Sequence, residues 1–403
     1  MKTNELIDTF NGGQAMDWNT DLPPLIREQG SQYDEPLIKF TDHILGHALQ
    51  KSASDIHIEP FEHHCRIRYR QQGILYAITE INSTLATRLI TRLKVMAQLN
   101  IAERRLPQDG HFQIMHAKTP IDIRLNSCPT LYGEKIVLRI LDTRHLTLAL
   151  DKLGLTPSQL TLFLETISEP QGLILVTGPT GSGKTVTLYS ALHYLNSTSK
   201  NISTVEDPVE IRLPGINQVN IHPKIGLDFA TILRTFLRQD PDVIMVGEIR
   251  DAETAMIATQ AAQTGHLVLS TIHTNNALDT LARLHTLGVS ANNVSLILAQ
   301  RLLRILCDAC KTPDNTSLAS TIIFQARGCP ECLGGYVGRT AIYEILAITQ
   351  ELTDLLANTS NTQAIQHYLQ QNDFFTLQDA AFALVSKGKT SFTEMQRVLR
   401  KTA

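Results

Sequence analysis

The alternation of apolar and polar positions changes character partway along the chain. In the earlier region, Leu37, Phe40, Ile44, Leu45 and Ala48 recur at helical spacing. Asp55-Ile-His-Ile-Glu59 and Cys65-Arg-Ile-Arg-Tyr-Arg70 alternate in the way half-buried strands do. A second helix is expected over Leu85–Leu99, with further strands over Ile121–Leu125 and Ile136–Leu141. Together these elements describe a compact α+β domain over 36–145. Residues 1–35 are polar, carry Asn11-Gly12-Gly13 and Pro23-Pro24, and read as an N-terminal arm.

A linker and helix over 146–168 lead into the second pattern. Leu173–Val176, Ile202–Val205, Val243–Val246 and Leu267–Ser270 are short runs with little or no polarity, as buried parallel strands are. Helical stretches over Thr185–Leu195, Phe229–Arg238 and Ala252–Gln263 alternate with them. Strand and helix in alternation predict an α/β domain, a parallel sheet covered on both faces, over 169–345. From about Leu278 the chain is expected to be mostly helical, interrupted by a cysteine-bearing knuckle over 305–335. A helical C-terminal region follows over 346–403.

Composition narrows the function classes. The chain has 403 residues, 43% of them hydrophobic, with Lys+Arg 36 against Asp+Glu 39 and a formal charge of −3. Such a balance excludes disorder for the bulk of the chain. It also speaks against a generally basic nucleic-acid binder, so no stable nucleic-acid partner is expected. No stretch approaches the ~18 apolar residues of a membrane span. Met1–Phe10 lacks the apolar run of a secretory signal, and a cytoplasmic location is expected. In that compartment the six cysteines are not a disulfide framework.

Gly178-Pro179-Thr180-Gly181-Ser182-Gly183-Lys184-Thr185 matches G-x-x-x-x-G-K-[ST] at each fixed position. It also follows an apolar strand and precedes a helix. Glycines let backbone N–H groups turn onto phosphates, and the helix N-terminus adds positive partial charge. Lys184 would reach the β- and γ-phosphates of ATP, and Thr185 would hold Mg2+. The plain alternative is a glycine-rich turn, which the complete motif in this context makes improbable.

Two acidic clusters end apolar strands: Glu206-Asp207-Pro208-Val209-Glu210 and Gly247-Glu248-Ile249-Arg250-Asp251. Ligands of parallel sheets sit beyond the carboxyl ends of the strands, so both clusters are expected at the phosphate loop's crevice. Solvated loop charges are the bland reading. His266 and His273 bracket the strand that starts at Leu267, where a lone histidine is more often structural than catalytic. Cys307-x-x-Cys310 and Cys329-x-x-Cys332, separated by residues 311–328, form a tetrahedral S4 pattern suited to structural Zn2+. Four independent buried or redox cysteines are the alternative.

With these motifs in order, the chain resembles the secretion ATPases of the type II secretion and type IV pilus superfamily from about Leu37 to the C-terminus. Ser54-Asp-Ile-His-Ile-Glu-Pro60, Arg105-Leu-Pro-Gln-Asp-Gly110, the phosphate loop, an Asp box around Glu206–Glu210, a Walker B stretch over Leu237–Arg250 and a His box over Thr264–Asn275 carry the resemblance. The resemblance implies a RecA-like P-loop NTPase domain, a smaller PAS-like N-terminal domain and a homo-hexameric ring. It implies an ATPase motor working on an inner-membrane assembly platform protein, with membrane association only through partners. A tetracysteine insertion is found in assembly and export members. Thr185–Tyr189, Asn201–Ile211 and Leu213–Gln218 point to the pilus assembly ATPases, while Gly338-Arg-Thr-Ala-Ile-Tyr-Glu344 also suits the type II secretion relatives, the close alternative. A DNA translocase and a nucleotide-binding module without turnover are the rivals from other classes.

Residue roles follow from the same resemblance. Glu210 would position or activate water, and Glu248 would support the metal and water. Glu206 belongs to the Asp box, and His266 and His273 would sense the γ-phosphate. Arg124, Arg139, Arg234, Arg238 and Arg250 are candidates to complete the site, their forked guanidinium groups matching phosphate oxygens. Ordinary surface pairing is the alternative for each. Two departures stand out: the extra N-terminal domain of long members is expected to be absent, and His111 stands where many relatives have arginine.

Overall fold

The computed structural model describes residues 35–142, 147–314, 322–358, 362–372 and 374–399. The expected arm over 1–35 lies outside them, apart from Glu35, which opens the first helix. Contacts divide the chain into two compact units, Met1–Leu146 and Thr147–Ala403.

The first unit comprises α1 (Glu35–Gln50), β1 (Asp55–Pro60), β2 (Cys65–Gln71), β3 (Ile74–Ile81), α2 (Ser83–Met96), β4 (Gln108–His116), β5 (Thr119–Thr130) and β6 (Gly133–Leu141). Its strands form one antiparallel sheet in the order β3-β2-β1-β6-β5-β4. Alternation decides the faces: Cys65, Ile67 and Tyr69 are buried while Arg66, Arg68 and Arg70 between them stay half-exposed. The buried face packs on α1 through Ile44, Leu45 and Ala48 and on α2 through Leu89, Ile90 and Leu93. Each such side chain contributes on the order of 2 kcal/mol by leaving water. The residue pattern alone does not mark β3 and β4 as strands.

The second unit begins with α3 (Pro157–Ser168), whose Thr156 and Gln159 close a capping box. Then come β7 (Gly172–Thr177), α4 (Lys184–Leu195), β8 (Ile202–Glu206), β9 (Asn217–Asn220), α5 (Phe229–Phe236), β10 (Val243–Val246), α6 (Ala252–Gln263), β11 (Leu267–Ile272) and α7 (Ala277–Thr286). The chain ends with β12 (Leu296–Leu306), the short β13 (Thr312–Pro313) and β14 (Phe324–Gln325), β15 (Tyr336–Ala347), α8 (Gln350–Asn358), α9 (Thr362–Gln371), α10 (Leu377–Ser386) and α11 (Phe392–Leu399).

Seven strands make one sheet in the order β15-β12-β7-β11-β10-β8-β9. All neighbours are parallel except β12 and β15. Leu173 and Leu175 of β7 face a core shared with α5, α6 and α7, while Ile174 and Val176 face one shared with α3 and α4. Both faces are thus covered, as the uninterrupted apolar runs require. Phe163 and Ile167 of α3 are fully buried there, so α3 is part of this unit.

One expectation is corrected. The chain beyond Leu278 is not mostly helical before the C-terminal region: Leu296–Leu306 and Tyr336–Ala347 are two long paired strands. A leucine-rich run fits a buried helix and an interior strand equally well by pattern alone. The tertiary position of β12, between β7 and β15, selects the strand.

Candidate nucleotide site

The apolar strand β7 ends at Thr177, and the phosphate loop turns directly into α4. Two glycines are required by close approach. A Cβ at Gly178 would lie 2.6 Å from the Gln300 carbonyl oxygen, and one at Gly183, whose φ is 94°, would lie 2.8 Å from Gln300 Nε2. Ser182 Oγ is buried and has no hydrogen-bond partner among the described residues. Lys184 is 8% exposed. Its Nζ donates to the loop's own carbonyls, Gly178 at 2.7 Å and Pro179 at 3.2 Å. Burial lowers its pKa to about 8, with the charge of Glu248 raising it and that of Arg301 lowering it. Pro179, Thr180 and Gly181 are exposed at the rim, and Thr185 is half-buried in the first turn of α4. An unpartnered hydroxyl, a folded-back lysine and a glycine-lined cradle at a helix N-terminus fit a phosphate chain.

The two acids at the strand ends have different surroundings. Glu206 is 4% exposed, and its carboxylate accepts from Tyr189 Oη, from Thr204 Oγ1 at 2.6 Å and from Gln218 Nε2 at 3.1 Å. It ties β8, α4 and β9 together. Glu210 is exposed, and its backbone N–H donates to Tyr189 Oη at 3.2 Å. Glu248 is only partly exposed and gathers the charged groups. Arg250 hydrogen-bonds it, His273 Nε2 lies 3.4 Å from Oε2, and Lys184 feels its charge. Arg250 also lies 3.8 Å from Asp207. Lys184, Glu248, Arg250 and His273 therefore share the carboxyl edge of the sheet, as the strand-end argument expects.

The two histidines separate. His273 follows β11, whereas His266 precedes it, where its carbonyl accepts the Gly172 N–H at 3.1 Å. Its Nδ1 lies 3.0 Å from the Ala261 carbonyl oxygen. Gly172 opens β7 and the phosphate loop closes it, so a strand of about 20 Å stands between His266 and the loop. The expectation that His266 shares the nucleotide crevice is not met within one chain. Arg234 pairs with Glu253 at 2.5 Å, and Arg238 donates to the Arg234 carbonyl at 2.9 Å. Both are engaged within the α5–α6 layer.

Arg124 and Arg139 belong to the first unit. They stand opposite each other on β5 and β6, in a cross-strand row that runs His111, Arg124, Arg139, Asp55, Arg70. Arg139 Nε donates to Asp55 Oδ1 at 3.1 Å, and Arg70 Nε lies 3.5 Å from Asp55 Oδ2. The sequence pattern foretold this polar face but not the row, which is set by strand register.

Residues the sequence reading passed over also shape the crevice. Gln300 accepts from Thr187 Oγ1 at 2.8 Å, and Arg301 Nη2 donates to the Asn275 carbonyl at 2.6 Å. Their signal is in the sequence: Gln300 and Arg301 interrupt an apolar run, Leu296–Leu303, that proves to be part of an interior strand.

The four knuckle sulfurs lie within 4.8 Å of one another. Cys307–Cys329 is 3.9 Å, Cys310–Cys332 3.7 Å and Cys329–Cys332 3.6 Å. Metal–sulfur bonds of about 2.3 Å in a tetrahedron put sulfurs about 3.8 Å apart, so the donor set fits a metal ion. Residues 315–321 of this loop lie outside the described ones. No helix among the described residues is long and apolar enough to cross a membrane.

Residues 30–397 match the profile of a family described as type II/IV secretion system protein. The type IV pilus assembly ATPase PilB of Acinetobacter baylyi is 49% identical over 385 residues, covering 91% of this chain and 66% of that protein. The chain thus spans about two thirds of that relative's length. The type II secretion system ATPase E of Vibrio cholerae is 41% identical over 411 residues, covering 98% of this chain and 80% of that protein. Among solved structures, the pilus retraction motor PilT with bound ADP aligns with a TM-score of 0.59 at 27% identity, covering 88% of this chain and 95% of that one.

Proposed function

The chain belongs to the type II/IV secretion system protein family, and from that premise we propose that it is an ATP-hydrolysing motor for type IV pilus assembly. The observation that carries this reading is the meeting of Lys184, Glu248, Arg250 and His273 beside the glycine cradle. With ATP as substrate, Lys184 exchanges the loop carbonyls for the β- and γ-phosphate oxygens, and Ser182 gains the partner it lacks. Thr185 and Glu248 are the residues that would hold Mg2+, which when bound would neutralise charge on the phosphates. His273 reads the γ-phosphate through the same carboxylate. Glu210 is the residue that orients water.

Work on a filament needs a ring, and the reading includes a homo-hexamer docked on an inner-membrane platform protein from the cytoplasm. Arg124, Arg139, Arg234 and Arg238 are its candidates for charge supplied to the transition state, which arginine does well. The cysteine cluster is read as a structural zinc site. A second reading, the type II secretion motor, is favoured by the long match to the Vibrio cholerae ATPase.

The test is ATP turnover by the purified chain with Mg2+ across protein concentrations. Turnover that rises as rings form and vanishes in Lys184→Ala is expected. A chain inert toward ATP overturns the reading. Mixing Lys184→Ala with Arg124→Ala protein should restore part of the activity if Arg124 acts on a neighbour's site. In cells, deletion should abolish surface pili; intact pili with lost protein export would select the second reading.

A further inference from the structure

Glu344 lies on β15 with its side chain buried, and both carboxylate oxygens are used. Oε1 accepts the backbone N–H of Ala277 at 2.8 Å, and Oε2 accepts that of Leu377 at 3.1 Å. Ala277 and Leu377 are the first residues of α7 and α10. One carboxylate therefore joins the positive ends of two helices that are 100 positions apart in sequence (377 − 277). Neither helix lacks a cap of its own: Asn276 Oδ1 accepts the Asp279 N–H at 2.7 Å, and Thr376 Oγ1 the Asp379 N–H at 3.2 Å. The buried acid is costly to desolvate, and the charge of Arg301, which holds the Asn275 carbonyl in the same turn, offsets part of that cost.

The helices connect different parts of the molecule. α7 opens directly after the turn 273–276, which carries His273. That turn is bound to the end of β7, with the Thr274 N–H donating to Thr177 Oγ1 at 3.1 Å. It is also bound to β12 through Arg301 and the Asn275 carbonyl. α10 packs with β12 and β15 around Leu377, Ala381 and Val385. Just past its end, Gly388 accepts from Lys311 Nζ at 3.0 Å, next to the cysteine knuckle.

We propose that Glu344 is a positioning residue that couples the His273 turn to α10, so that events at the phosphate loop move the C-terminal helices. The inference rests on the nucleotide reading of the site. A two-oxygen acceptor locked on both helix ends makes a rigid link, and loss of either hold frees one helix from the other.

The experiment uses the full chain, with hydrogen–deuterium exchange measured with and without ATPγS–Mg2+. In the wild type, residues 377–386 should change their exchange when nucleotide binds. Glu344→Gln should keep nucleotide affinity within about twofold, lose most of the 377–386 response, and lower kcat about tenfold with KM changed less than about twofold. Glu344→Asp keeps the charge but reaches only one helix, and should behave like Glu344→Gln. A Glu344→Asp variant with wild-type turnover and response overturns the proposal. As a measurement free of any folding defect in the variants, the wild-type amides of Ala277 and Leu377 should respond to nucleotide together; a response at Ala277 alone overturns it. A wild-type chain that binds no nucleotide refutes the function itself, whereas one that binds and hydrolyses ATP with 377–386 indifferent refutes only the coupling.

Discussion

Nε2 of His273 lies 3.4 Å from Oε2 of Glu248, and Arg250 hydrogen-bonds the same carboxylate. Burial alone would push the Glu248 carboxyl up. The hydrogen bond and charge of Arg250, joined by His273, outweigh it and leave Glu248 below its ordinary range. His273 is held low by burial and then by the charge of Lys184. At neutral pH the pair is a carboxylate facing a neutral imidazole.

Glu248→Gln removes the charge at the centre of this cluster and keeps its shape. ATP should still bind, while turnover falls by about a hundredfold or more. Glu210 is exposed, and Glu210→Gln should cost less. Steady-state rates of the two variants side by side decide the matter; an active Glu248→Gln with an inactive Glu210→Gln would reverse the assignment.

Lys184 gives a pH signature. Without nucleotide its ammonium titrates at about 8. Phosphate oxygens favour the charged form and raise the pKa of the bound state. The free state therefore loses a proton as pH rises through about 8 while the bound state keeps it, so affinity should fall across that range. Titration calorimetry at about pH 9 in buffers of different ionisation enthalpy should show net proton uptake on ATP binding. An affinity that stays flat from neutral pH to that point would refute the shift.

The knuckle should carry one zinc per chain, measured by elemental analysis of freshly reduced protein. Cys332→Ser should lower the metal content and the thermal midpoint by about 5 °C or more. Cys128, exposed on β5, is outside the cluster, and Cys128→Ser should leave both values unchanged.

In the first unit, Lys94 Nζ lies 2.7 Å from Glu134 Oε1, with side chains 1% and 7% exposed. Lys94→Met strands a buried carboxylate and should cost about 3–5 kcal/mol in denaturant unfolding. Lys94→Met with Glu134→Leu should recover most of that loss, because the desolvation penalty disappears with the second charge. A double variant as unstable as the single one would show that packing, not charge, is at stake.

Local pattern by itself determines much of this protein. The apolar runs at Leu173, Val243 and Leu267 are too short for helices and alternate with helical stretches, which reads as strands buried on two faces, and the glycines with Lys184 read as a tight turn onto a helix. The acids after those runs had to reach one edge, because parallel strands all end on the same side. What sequence could not decide depends on which segments become neighbours. Both His266 and His273 flank β11, yet the direction of that strand puts one beside Gly172 and the other beside Glu248. Glu206 closes β8, and Glu248 follows the end of β10 by two positions. Tyr189, Thr204 and Gln218 occupy one, and Lys184, Arg250 and His273 surround the other. Leu296–Leu306 is a strand because β15 pairs with its backbone from Leu296 to Leu306 and β7 pairs with it over Leu296–Ala299, which its leucines alone do not dictate. The two helix ends that Glu344 holds are not legible in its own segment, since their N–H groups lie 67 positions before it and 33 after it.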